Sequence, residues 1–100
     1  MLRLFKISED SLSPEFQDGD FVLALKIPIF LQHIRPGAII VFKQKTYGTL
    51  IKRVEHISAD RKDYFVVGNH PVSIDSRQFG PVPRQNVIGK VIWHIPRPRG

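Results

Sequence analysis

Cysteine is absent from this chain, which excludes a disulfide framework, a thiolate zinc site, an iron–sulfur cluster and a cysteine nucleophile. Long apolar runs are missing too. The longest, Phe21 to Leu31, is broken by Lys26 and Pro28 and falls short of the ~20 residues that a bilayer-spanning helix needs. The amino terminus carries two cations but meets acidic residues before any apolar stretch develops, so it does not read as a signal peptide. With neither signal, the expected compartment is the cytoplasm. Acidic residues are scarce, nine against fifteen lysines and arginines, for a net charge of +6. They are also unevenly spread: residues 1–20 hold five acids and two cations, and the remaining residues four acids and thirteen cations. A small basic domain points to nucleic acid or an anionic surface, or simply to solubility. Phosphate-cradling glycine loops are lacking, and the four histidines fall at positions 33, 56, 70 and 94 without any metal-ligand spacing. No metal and no cofactor is expected.

What is present is enough for one core. One hundred residues, 42% of them hydrophobic, make a single small globular domain. Segments rich in β-branched and aromatic residues recur at short intervals: Phe21–Ile27, Ala38–Phe42, Gly48–Ile57, Tyr64–Val67 and Val87–Ile95. Turn signals separate them, among them Asp18-Gly19-Asp20, Arg35-Pro36-Gly37, Gly68-Asn69 and Gly80-Pro81-Val82-Pro83. The pattern predicts a mostly β domain of coiled sheets or a partly open barrel over residues 1–95, followed by a flexible Pro/Arg-rich tail, 96–100. A strand-like piece at the front leads into a turn carrying Ser11. Ser13 as N-cap, Pro14 at the first helical position and Glu15 in the first turn then predict a short helix.

Three blocks carry chemistry. The first runs Ser11-Leu12-Ser13-Pro14-Glu15-Phe16-Gln17-Asp18-Gly19-Asp20-Phe21-Val22. The second is Leu50-Ile51-Lys52-Arg53-Val54. The third is Gly68-Asn69-His70-Pro71-Val72-Ser73-Ile74-Asp75-Ser76-Arg77-Gln78-Phe79-Gly80-Pro81-Val82. A serine at a tight turn before a helix exposes its hydroxyl, and nearby backbone N–H groups can face a developing oxyanion. In a strand over 48–57, alternation puts Leu50, Lys52, Val54 and His56 on one face and Ile51, Arg53, Glu55 and Ile57 on the other. Lys52 thus sits between aliphatic neighbours. An ordinary lysine, with a pKa of ~10.4, offers a free amine in only about one molecule in 2500 at neutral pH. Desolvation and neighbouring cations would both raise that fraction.

In order and wording the blocks resemble the serine/lysine peptidases of the signal peptidase I and LexA-like superfamily. The first is similar to S-M-x-P-x-L-x-x-G-D-x-V, the second to I-K-R-V, and the third to G-D-N-x-x-x-S-x-D-S-R-x-x-G-x-V. The strand Pro36-Gly37-Ala38-Ile39-Ile40-Val41-Phe42 resembles G-D-I-V-V-F more loosely. The resemblance implies Ser11 as nucleophile, Lys52 as its general base and Ser73 as the hydroxyl that orients the lysine. It implies a supporting ion-pair network of Arg53, Asp75 and Arg77. The sequence departs from the pattern in having Glu9-Asp10 before Ser11, Leu12 for Met, and Asn69 directly after Gly68.

A short chain without anchor or DNA-binding domain, carrying Asp75-Ser76-Arg77-Gln78-Phe79-Gly80-Pro81-Val82-Pro83, is most similar to the nickel-type superoxide dismutase maturation proteases. The implied partner is a precursor protein whose propeptide is removed. Ile27, Ile29, Phe30 and Leu31 could form an exposed apolar patch, though core burial accounts for them as well. The alternatives are a catalytically silent relative and a small basic nucleic-acid-binding β-barrel, for which aromatics beside cations, as at Phe42-Lys43, supply the argument.

Overall fold

The computed structural model describes residues 2–7, 18–26, 34–69 and 74–96. Seven strands form in chain order: β1 (Leu2–Lys6), β2 (Phe21–Leu25), β3 (Ile39–Gln44), β4 (Gly48–Ile57), β5 (Asp63–Val67), β6 (Val82–Pro83) and β7 (Val87–Ile95). They make one antiparallel sheet in the order β1-β2-β7-β3-β4-β5-β6. The sheet is mostly β and open, with β1 and β6 as its edges, rather than a closed barrel. No helix among the described residues is long and apolar enough to cross a membrane. The predicted helix after Ser13 and the proposed patch at Ile27, Ile29, Phe30 and Leu31 lie outside the described residues.

Period-two alternation explains how one open sheet buries two cores. Adjacent residues of a strand point to opposite faces. On β3, Ile40 and Phe42 enter a cluster with Ile34, Val54, Tyr64, Val66, Val82 and Val87, with Leu50 packed against it. Their neighbour Ile39 joins Ile7 and Val22 on the other face, where Phe5, Ile51 and Val91 add to the contact. The sheet therefore coils, one face closing around β3–β6 and the opposite face around β1, β2 and β7. What remains uncovered is the other side of the β1–β2–β7 end. Leu2 and Leu4 face Leu25 and Leu23 across the β1–β2 ladder, Leu23 faces Trp93, and Trp93 is 64% exposed.

The β3–β4 hairpin turns through Lys45-Thr46-Tyr47. The Gln44 side-chain Oε1 accepts from the backbone N–H of Thr46 and Tyr47, at 2.6 and 2.7 Å, so the side chain completes the turn. One prediction fails on β4. A register shift between Val54 and His56 places Val54 opposite Val66 but His56 opposite Phe65. One extra residue in a ladder reverses the facing of everything beyond it. His56 consequently leaves the Lys52 face and stacks on the Phe65 ring, centroids 4.2 Å apart, while Ile57 turns to the first core.

Candidate active site

Lys52 sits at the middle of β4 with no exposed surface, one of three buried charged residues among those described. Leu50 and Val54 flank it on the same face, and both belong to the first core. Across the β3–β4 ladder it faces Ile40, itself fully buried, and Ile40 in turn faces Lys90 on β7. A row Lys52–Ile40–Lys90 thus crosses three strands on one face. The alternation that buries Val54 also draws the lysine stem inward.

Ser11 and Ser73 lie outside the described residues, within 8–17 and 70–73. The described chain defines the feet of both segments. The first rises from Ile7 and returns at Asp18. Its feet are tied: the Ile7 N–H donates to the Asp20 carbonyl and the Gly19 N–H to the Ile7 carbonyl, both at 2.7 Å. The second leaves after Asn69, beyond β5, and returns at Ile74, just before Asp75. Here the tie is a side chain. The Gly68 N–H donates to Oδ2 of Asp75 at 3.0 Å, so a buried carboxylate spans the base of the segment that carries Ser73.

Asp75 does more than this. It caps a four-residue helix, α1 (Ser76–Phe79), in a capping box: its side chain accepts at the helix start while Gln78 Oε1 accepts from the Asp75 N–H at 2.8 Å. The capping box makes this stretch a helical turn. Arg77 donates its Nε and Nη2 to the two Asp75 oxygens at 2.9 and 2.8 Å, a bidentate pair. Burial alone would raise the Asp75 carboxyl. The Arg77 side chain, the N–H groups of Gly68 and Arg77 and the Arg77 charge outweigh it and hold the group below the ordinary carboxylate range. The Arg77 guanidinium is raised in return, chiefly by the same hydrogen bond. Ser76 accepts at its Oγ from the Val66 N–H at 2.8 Å, fastening α1 to β5. Arg53, pointing away from Lys52 on β4, donates Nη1 to the Gly37 carbonyl at 3.3 Å.

One pair was not singled out by the sequence. Asp20, 1% exposed, lies 2.8 Å through Oδ2 from Nε2 of His94 on β7. The two are 74 positions apart and no spacing rule connects them. Among the described residues no group of three or more His, Cys, Asp or Glu could hold a metal ion. A cavity of about 120 Å³ opens beneath the β3–β4 hairpin, lined by Lys43, Lys45, Phe79 and Pro81 among others but not by Lys52.

Comparison with known proteins bears on what this arrangement is for. Residues 56–95 match the family described as signal peptidase, peptidase S26. That stretch holds Ser73, Asp75, Arg77 and His94. Over a longer span the chain is similar to signal peptidase I V of Bacillus subtilis (strain 168), at 24% identity over an alignment 137 positions long that covers 87% of this chain and 82% of that protein.

Proposed function

We propose that this protein is a serine endopeptidase in which Ser11 is the nucleophile and Lys52 the general base. The observation that carries the reading is the complete burial of Lys52 among Leu50, Val54 and Ile40 on a face of the sheet. A lysine placed there gains nothing as a surface charge, whereas a base that must work as a free amine gains from a site shielded from water. Similarity to a signal peptidase I over most of the chain supports the same reaction class.

In this mechanism the Lys52 amine takes the Ser11 hydroxyl proton as the oxygen attacks a peptide carbonyl. A carbon–oxygen bond forms and the carbonyl electrons move to the oxyanion, which backbone N–H groups receive. Collapse breaks the carbon–nitrogen bond, and the lysine ammonium returns its proton to the departing amine. Water, deprotonated by the same amine, then attacks the ester, and Ser11 recovers its proton. Ser73 holds the lysine rotamer. Asp75, with Arg77 bound to it, fixes the base of the segment that delivers Ser73, while Arg53 braces β4 against the turn at Gly37.

The substrate in this reading is a precursor protein whose leader or propeptide is removed in the cytoplasm, with the nickel-type superoxide dismutase propeptide as the first candidate. The test is incubation of the purified protein with candidate precursors beside Ser11→Ala and Lys52→Ala. Cleavage by the parent and by neither variant is expected. If both variants cleave as well as the parent, the dyad is wrong. A nickel-type dismutase precursor left intact while another precursor is cut would remove only the substrate assignment.

A further inference from the structure

The mechanism leaves unused a titratable pair made of a buried carboxylate and a partly buried imidazole. The Asp20 carboxylate is 1% exposed, and a carboxylate taken out of water is tolerated only where hydrogen bonds replace its hydration. An ionised carboxylate can only accept, so the 2.8 Å contact has the Nε2–H of His94 donating to Oδ2. We infer that Asp20 and His94 form a clasp that holds the neck of the Ser11-bearing segment against β7, and that both are positioning residues for the nucleophile.

Three observations converge on this role. The first is where Asp20 stands. Its carbonyl accepts from the Ile7 N–H, and its neighbour Gly19 donates to the Ile7 carbonyl, so Asp20 belongs to the hydrogen-bonded neck between the two ends of the Ser11-bearing segment. The second is the backbone just before it: Gly19 has φ +91°, a conformation that side-chain-bearing residues rarely adopt. The loop therefore returns to the sheet through a sharply defined corner whose next side chain is the Asp20 carboxylate. The third is the direction from which His94 arrives. It faces Val22 across the β2–β7 ladder. Val22 belongs to the core with Ile7 and Ile39, on the face opposite to that of Ile40 and Lys52. His94 thus reaches the neck from behind the sheet and acts through the Asp20 backbone, not as a second base beside Lys52.

The two sides of the neck differ: Asp20 runs into β2, which pairs with β7 from Phe21 onward, whereas Ile7 continues β1, which among the described residues pairs with β2 and lies at the edge. The clasp adds a charge-assisted bond to β7, which is paired on both sides and lies inside the sheet. The neck is then held to β7 by a side-chain bond as well as through the backbone pairing of β2. A nucleophile must be held to a fraction of an ångström for its attack to be productive, so a loosened neck lowers the rate of the chemical step more than it weakens substrate binding.

The catalytic consequence rests on the serine peptidase reading above; the clasp itself does not. The experiment therefore has two arms, cleavage kinetics and amide hydrogen exchange, applied to the parent, His94→Leu and His94→Gln. In His94→Leu, kcat is expected to fall about tenfold or more with KM within about twofold, the size of effect expected from losing a charge-assisted bond. Exchange at the Ile7 and Gly19 amides should quicken while Val41 and Val54 keep their protection. His94→Gln, whose side-chain N–H can reach the same oxygen, should recover most of the loss. Parental kcat in His94→Leu, or a His94→Gln variant as slow as His94→Leu, overturns the positioning role. If the parent itself cleaves nothing, the peptidase reading falls on its own and the exchange arm still decides: unchanged protection at Ile7 and Gly19 overturns the clasp, and faster exchange there sustains it. Should His94→Leu fail to fold, Asp20→Asn keeps the shape and removes the charge, and an absence of any shift in either arm would count against the clasp.

Discussion

At the scale of single residues, two buried charges divide the work. Lys52 carries its amine into a face lined by Leu50, Val54 and Ile40, where an apolar side chain of equal length brings no polar group to bury. Lys52→Met keeps the volume and removes the amine. Cleavage should drop by about 10²- to 10⁴-fold, the usual contribution of a positioned base, while the melting temperature holds or rises. Steady-state kinetics beside a thermal melt check both halves; a variant that melts early would mean that the lysine is structural. Asp75 is the reverse case. Its folded-state carboxyl is held below the ordinary value of ~3.9. A depressed pKa contributes stability that is present above the unfolded value and lost as pH falls through the folded one. Asp75→Asn should therefore cost about 1–3 kcal/mol at neutral pH. The gap to the parent should narrow once the medium is acid enough to protonate the parent's carboxyl. Denaturant melts at pH 7 and pH 3 would show it, and a gap that stays constant would dissociate Asp75 from the acid limb. Lys52 was legible because Leu50-x-Lys52-x-Val54 is a period-two pattern. The clasp of Asp20 with His94 was not, because it depends on which strands pair, and local sequence does not encode that.

At the scale of elements, the strands follow from their composition and the irregularities do not. Val, Ile and Phe runs bounded by Gly, Pro and Asp marked β2, β3, β4, β5 and β7 to within two or three residues at their ends. The two-residue β6, ending in a proline, and the four-residue α1 were too short to leave a periodic signal. The Asp75-x-x-Gln78 capping box is present in the sequence, but no apolar helical stripe follows it to mark a helix. The bulge that diverts His56 could not be read from alternation, which assumes a ladder without interruptions. Close approach between strands leaves another such mark at Gly89. A Cβ added there would lie 3.1 Å from both the Ala24 Cβ and the Leu25 carbonyl oxygen, on the strand next door. One of those contacts is the backbone of a ladder-paired residue and cannot easily give way. Gly89→Ala is expected to destabilise by about 1–3 kcal/mol despite the β-propensity it adds. Urea unfolding measures this, and a more stable variant would mean that β2 and β7 have room to move apart.

At the scale of the whole molecule, an open sheet with a core on each face must leave some of its surface unbacked. The first core closes one face over β3–β6, and the second closes the opposite face over β1, β2 and β7. The remaining side of the β1–β2–β7 end keeps Leu2, Leu4 and Trp93 more than half exposed, with Leu23 between the last two. Clustered apolar surface of this kind, beside an unpaired edge strand, is prone to associate nonspecifically as concentration rises. Leu4 and Trp93 make little of either core, so the pair Leu4→Lys and Trp93→Lys should leave unfolding free energy within about 0.5 kcal/mol per site. The same pair should lower the fluorescence of a bound hydrophobic dye and raise the concentration at which the protein scatters light. An unchanged dye signal would mean that the face is covered in solution. A cooperative loss of stability would mean that Trp93 braces β7, and with it the strand that carries His94 to the neck of the Ser11 segment.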